Sequence, residues 1–314
     1  MSTVPPATPS SGDGLAWPRD FESRHGAGLD LGVALGGGGL FLVAWNIAYL
    51  YELAEHGIDL RTADRLVGTS AGSVMATGLA AGRLGRLHAT VALLDRSPAF
   101  IGRLAPSGEL KASQQRALDL FLTMADGEPE TVRRIGHAAL AASTPSAASM
   151  SRTIGAFLGV RRWPAANLHV TCMDTFTGER CVVTAAAKVG PARAVAASSA
   201  IPGVFSPQPI RDRRCMDGGV SWSGVHLDVV AGARKAVVLV LPPSIDAADG
   251  GLGSATDLRG EVDALRSAGT EVFLRSPESV DRTRLMDPTA VSEAFEMGHR
   301  QARDDAEELQ AFLA

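Results

Sequence analysis

The sequence predicts an α/β fold built on parallel strands, and three observations carry that expectation. Two short apolar runs each end in a glycine-bearing loop and lead straight into a helical pattern, over 29–56 and again over 65–81. Two later runs, 236–241 and 270–274, have the length and composition of buried strands. A terminal amphipathic pattern over 288–313 supplies a helix to cover such a sheet.

Each element follows in order. Residues 29–35 form an apolar run that enters Gly36, Gly37, Gly38 and Gly39, as a buried strand entering a tight loop would. The pattern turns helical over 40–56 and stops at Gly57, a residue suited to ending a helix. A second strand over 65–68 runs into Gly68-Thr69-Ser70-Ala71-Gly72, and 71–81 reads as a helix of small residues. Residues 83–155 are helical in pattern, with scattered Gly and Pro and no strand signal. Two strands, 167–173 and 180–184, flank the turn Asp174 to Glu179 and predict a hairpin. A small-residue helix over 191–199 ends at Ile201-Pro202-Gly203, and a short strand over 214–217 leads into Gly218-Gly219. Residues 244–256, rich in Ala, Asp and Gly, read as a mobile loop.

Composition narrows the classes. At 46% hydrophobic and 20% charged, 314 residues can bury one large core. We therefore expect one domain over 29–314, with 83–155 as a helical cap, preceded by a disordered tail over 1–28 that is rich in Pro, Ser and Gly and lacks an apolar leader run. The uncharged stretch 31–51 contains four glycines and Asn46, which favours a buried strand–loop–helix over a membrane span. The net charge of −4, with no long basic run, argues against nucleic acid as a partner. Cys172, Cys181 and Cys215 are too few for a disulfide scaffold and have no metal-site spacing, so reduced thiols in a cytoplasmic protein are expected, although Cys172 and Cys181 can face each other across the hairpin.

The chemistry centres on Ser70. In a G-x-S-x-G turn between strand and helix, the serine sits on a sharp elbow, and the helix that follows aims its positive end at the site. Here the strand, the turn and the helix are all present, which makes Ser70 a candidate nucleophile. The four-glycine loop has no third glycine for a dinucleotide fingerprint and no Gly-Lys-Ser/Thr for a phosphate loop. Backbone donors for an oxyanion remain as its reading. Of seven histidines, His226 is the one on a suitable loop, and His299 falls within the terminal helix as a solvated or packing residue. Asp217, at a strand end before two glycines, is the alternative base, since partial desolvation raises the basicity of a carboxylate. Trp45, Trp163 and Trp222 read as core or rim aromatics.

Together, Gly36 to Gly39, Gly68-Thr69-Ser70-Ala71-Gly72, the block Ala197 to Phe205, and Asp217-Gly218-Gly219 resemble the patatin-like phospholipases. All four blocks occur in family order, over about residues 30–240. The resemblance implies a three-layer α/β/α sandwich around a mainly parallel sheet. It implies a Ser70–Asp217 dyad with no histidine, and an oxyanion hole from Gly37, Gly38 and Gly39, supported by Gly68, Gly72, Gly218 and Gly219. Phe41 and Leu42 stand where a basic residue and a glycine are common in the family, and Val220-Ser221-Trp222 replaces the Asn and Pro often found after the base. The expected function is hydrolysis of carboxylic esters in lipids, without metal or cofactor, on a lipid or fatty-acyl ester substrate and with peripheral contact to a membrane surface. Two other readings use the same residues: a lipid-binding protein with weak catalysis, and an acyltransferase with an acceptor other than water.

Overall fold

The computed structural model describes residues 13–94, 109–124, 126–242 and 255–314. Strands β1 (Leu31–Leu35), β2 (Arg65–Thr69), β3 (Leu168–Asp174), β7 (Lys235–Leu239) and β8 (Glu271–Arg275) form a parallel run in the order β3-β2-β1-β7-β8. Three strands extend it antiparallel: β4 (Arg180–Val183) and β6 (Arg213–Asp217) pair with β3, and β5 (Gln208–Ile210) pairs with β6. The sheet is therefore mixed and mainly parallel, as expected, with β5 an addition that its three residues were too short to signal.

Alternation along the strands sorts their side chains onto two buried faces. Val33, Leu35, Leu66, Val170, Val237 and Leu239 point into the larger cluster. That face is covered by helices α1 (Gly39–Glu55), α2 (Ala71–Ala80), α3 (Leu84–Leu94), α7 (Pro191–Ser198) and α9 (Val291–Leu313). Ala34, Val67, Ala236 and Val238 point the other way, against α8 (Ala255–Ser267) and the segment Val225 to Ala231. Burial on both faces is why the strands read as continuous apolar runs, and it makes the molecule a three-layer α/β/α sandwich.

The segment expected to be helical holds α4 (Ala112–Met124), α5 (Pro129–Ala141) and α6 (Ala147–Leu158), following α3. Helix α8 lay beyond the elements anticipated, and most of the loop expected over 244–256 lies outside the described residues.

One expectation needs correction. Residues 13–28, read as part of a structureless tail, form an ordered strap. Ala16 bridges Cys181 antiparallel, the Trp17 amide donates to the Arg180 carbonyl at 3.1 Å, and Leu15 is 1% exposed. The Val182 amide also donates to the Leu15 carbonyl at 2.9 Å, so the strap caps the free edge of β4, and these three contacts outweigh its Pro/Gly composition. The expectation for residues 1–12 lies outside the described residues. Among the described residues, no helix is long and apolar enough to cross a membrane, and 31–51 is the buried strand, loop and helix expected.

Candidate active site

The sheet topology itself brings Ser70 and Asp217 together. Residues 170–173 of β3 carry β4 along one edge, so β2 and β6 share the other. They run toward each other and meet end to end: Thr69 pairs with Thr171, and the next residue of β3, Cys172, pairs with Asp217. The C-terminal ends of two strands 147 residues apart in sequence thus abut, and the Ser70 hydroxyl donates to Asp217 Oδ2 at 2.9 Å.

Ser70 lies at the turn between β2 and α2 with φ 52° and ψ −120°, a left-handed φ that costs a non-glycine residue energy and persists only where the surrounding structure imposes it. It is held there from three sides. Its amide donates to Ser198 Oγ at 2.8 Å, and its carbonyl accepts from the Ser73 hydroxyl at 2.7 Å. The Gly72 amide donates to the Gly36 carbonyl at 3.0 Å, docking the elbow onto the glycine loop. A Cβ at Gly72 would lie 1.9 Å from the Leu35 carbonyl oxygen, and one at Gly68 would lie 2.6 Å from the Gly72 oxygen, so neither position has room for a side chain.

The glycine loop approaches Ser70 directly: a Cβ at Gly37 would sit 3.2 Å from Ser70 Cβ. Gly38 precedes α1, and Gly39 opens it with φ 61°. Among the described residues, the amides of Gly37, Gly38 and Gly39 have no protein acceptor. Helices α1 and α2 both begin at this point, so two positive helix ends converge on Ser70. Phe41 and Leu42 are buried in the core at 3% and 0% exposure, which leaves no charged side chain at those two positions.

Asp217 is 1% exposed, and burial pushes its carboxyl up to about 7, opposed by hydrogen bonds from the Gly219 amide and the Ser70 hydroxyl. The Gly219 amide reaches Oδ1 at 2.7 Å, so one oxygen is anchored and the other faces Ser70. Gly218 is packed between strands, where a Cβ would meet the Thr171 carbonyl at 2.7 Å. Its amide donates to the Ser198 carbonyl at 3.2 Å. Ser198 therefore touches both strand ends, one through its hydroxyl and one through its carbonyl. In the sequence it stood only within the block Ala197 to Phe205, where the paired serines Ser198 and Ser199 at a helix end are the available signal.

His226 is not directed at Ser70. Its Nε2–H donates to the Gly218 carbonyl at 2.9 Å, and burial lowers its pKa to about 3, so it is neutral. His299 sits on α9, bonded to Glu52 at 2.6 Å and to His88 at 2.9 Å, in the packing role expected. Trp45 is a core residue at 0% exposure, and Cys172 and Cys181 lie directly opposite each other as free thiols.

Ser70 opens onto a cavity of about 340 Å³, within the range of small-molecule sites. Its walls are mostly apolar. Val43 and Val74 stand one turn into α1 and α2, and Met150, Ile154 and Phe157 share one face of α6 at helical spacing. Glu109 and Gln114 are among its polar groups.

A family model described as patatin-like phospholipase matches residues 33–230. No curated protein matches the chain. Among solved structures, VipD from Legionella pneumophila is 12% identical, with a TM-score of 0.40 over 89% of this chain and 67% of that one. The type III effector protein ExoU is 16% identical, with a TM-score of 0.33 over 88% of this chain and 53% of that one, so this chain spans about half of its length.

Proposed function

The chain belongs to the patatin-like phospholipase family, and on that premise we propose that it is a serine hydrolase of carboxylic esters in lipids, working through a Ser70–Asp217 dyad. The observation that carries this reading is the 2.9 Å hydrogen bond from the Ser70 hydroxyl to a buried carboxylate whose pKa is raised to about 7. A carboxylate with that pKa is a competent proton acceptor near neutral pH.

In the proposed reaction, Asp217 takes the Ser70 proton as Oγ attacks the ester carbonyl. The free amides of Gly37, Gly38 and Gly39 receive the oxyanion, aided by the two helix ends. The protonated Asp217 then returns its proton to the departing alkoxide, leaving an acyl-Ser70 ester. Water, deprotonated by Asp217, attacks that ester, and Asp217 returns the proton to Ser70 Oγ as the fatty acid leaves. His226 takes no part, because its Nε2–H is committed to the Gly218 carbonyl.

The apolar cavity seats the acyl chain of the ester, between the first turns of α1 and α2 and the inner face of α6. The segment 83–155 acts as its cover, since α4 and α6 both contribute wall residues. Leu93, Leu122 and Leu140, 67%, 42% and 38% exposed on α3, α4 and α5, are among the apolar side chains this cover offers to a membrane surface.

Labelling with a fluorophosphonate, followed by peptide mapping, tests the reading. The expected outcome is modification at Ser70 in the wild type and none in S70A. D217A is expected to lose ester hydrolysis by at least about a thousandfold, as for other activated serine nucleophiles. An unlabelled wild-type protein that still binds fatty acid would make it a lipid-binding protein instead.

A further inference from the structure

We propose that residues 13–24 of the strap, which precede the matched family region, are a positioning device for Asp217, and that Arg19 is its key residue. The proposal rests on the dyad reading above. It concerns how the carboxylate is held, not whether it reacts.

The strap grips the chain on both sides of Asp217. Four residues upstream, Arg213 at the start of β6 bonds Asp13 at 2.8 Å, and the same guanidinium reaches Asp174 at 3.0 Å and Glu179 at 2.8 Å. This fixes the strand that delivers Asp217. Downstream, the loop Gly218 to His226 carries the contacts that aim the carboxylate: the Gly219 amide on Oδ1, and Ser221 Oγ and His226 Nε2 on the Gly218 carbonyl. That loop has no regular structure of its own. It is tied down by Glu261 of α8, which accepts from Ser223 Oγ at 2.6 Å and from the Leu227 amide at 3.4 Å.

Arg19 closes the arrangement. Its Nε lies 3.2 Å from Glu261 Oε1, and its guanidinium stacks 5.0 Å over the Trp222 ring of the same loop. Glu261 is 1% exposed, and burial raises its pKa. A buried carboxylate that accepts two loop hydrogen bonds keeps its orientation best when a cation balances it. The strap is itself held in place by Arg180, which bonds the Trp17 and Pro18 carbonyls at 2.8 and 2.9 Å and pairs with Asp228 at 2.5 and 2.7 Å. Asp228 in turn accepts the Asp20 amide at 3.0 Å. From Arg19 the path to Asp217 runs through Glu261 and Ser223, and beside them through Trp222, into the loop backbone.

The test compares wild type, R19A, R19K and S223A in the full chain. S223A cuts the same path without touching the strap, so it holds the proposal open to refutation if R19A fails to fold. Three measurements are made on each: the rate of Ser70 acylation by a fluorophosphonate, KM for a p-nitrophenyl ester, and amide hydrogen exchange over 217–226. Misplacing a reacting group by about 1 Å costs up to about a hundredfold, so R19A and S223A are expected to acylate about ten- to a hundredfold more slowly. KM for a p-nitrophenyl ester should stay within about twofold, and the exchange of the Gly219 amide should quicken. R19K should recover most of the rate. Wild-type rates and unchanged exchange in both folded variants would overturn the proposal. If the wild type itself is not acylated, the dyad reading falls, and the exchange data alone decide the strap: faster exchange in R19A and S223A upholds it, unchanged exchange sinks it.

Discussion

Ser70 and Asp217 each occupy a conformation or environment that the surrounding chain must impose. Ser70 holds φ 52° because Ser198, Ser73 and the Gly36 loop fix the backbone around it. Removing the Ser198 hydroxyl leaves the Ser70 amide, buried beside it, without its acceptor. We expect S198A to cost roughly 1–3 kcal/mol in thermal or denaturant melts and to slow Ser70 acylation more than it raises KM. For Asp217, the raised pKa of about 7 sets two opposite pH trends. Proton transfer from Ser70 needs the ionised form, so kcat/KM should rise with pH and level off above about 7. Stability should move the other way. The unfolded carboxyl releases its proton near its ordinary value of 3.8, and the folded one holds it until about 7. The unfolded state is therefore favoured progressively as pH climbs through that interval. D217N, which never ionises, should melt higher than wild type at pH 8 and equal to it near pH 4. A wild-type-like melt at pH 8 would contradict the assigned burial cost.

Elements set the spacing that these residues need. The elbow between β2 and α2 packs so closely on the β1 loop that a methyl at Gly72 would lie 1.9 Å from a carbonyl oxygen. G72A should therefore either fail to accumulate as folded protein or melt several degrees lower, with Ser70 labelling lost in parallel. Helix α6 presents Met150, Ile154 and Phe157 to the cavity from one face, since those positions recur at three and four residues. Replacing Phe157 by Ala enlarges the cavity on the α6 side. The expected result, read from kcat/KM over a series of p-nitrophenyl esters of increasing length, is a shift of preference toward longer acyl chains with the shorter ones little changed.

Across the whole molecule, two faces of one sheet divide the work. The face covered by α1, α2, α3, α7 and α9 carries the ends of β2 and β6 that bear Ser70 and Asp217, while the ion-paired strap runs from Leu15, in that face's cluster, to Trp17 and Phe21, packed on the opposite one. Arg180 and Asp228 lie on that second face at 3% and 0% exposure, paired through both guanidinium nitrogens. Removing one partner strands a buried charge, so D228A is expected to lose about 3–5 kcal/mol of stability by chemical denaturation. The sequence alone determined the parallel α/β core, because strands buried on both faces must be apolar throughout and their loops must carry glycine. It also marked Ser70, the glycine loop and Asp217, since an elbow and a tight turn demand small residues at fixed local offsets. It gave no sign that Leu15 to Asp20 would be ordered, that Ser198 would touch both strand ends, or that His226 would turn to a carbonyl. Those outcomes depend on contacts between segments far apart in the chain. Even the meeting of Ser70 with Asp217 was decided by tertiary structure, through a register on β3 that sets Cys172 opposite Asp217 one residue beyond the pairing of Thr171 with Thr69.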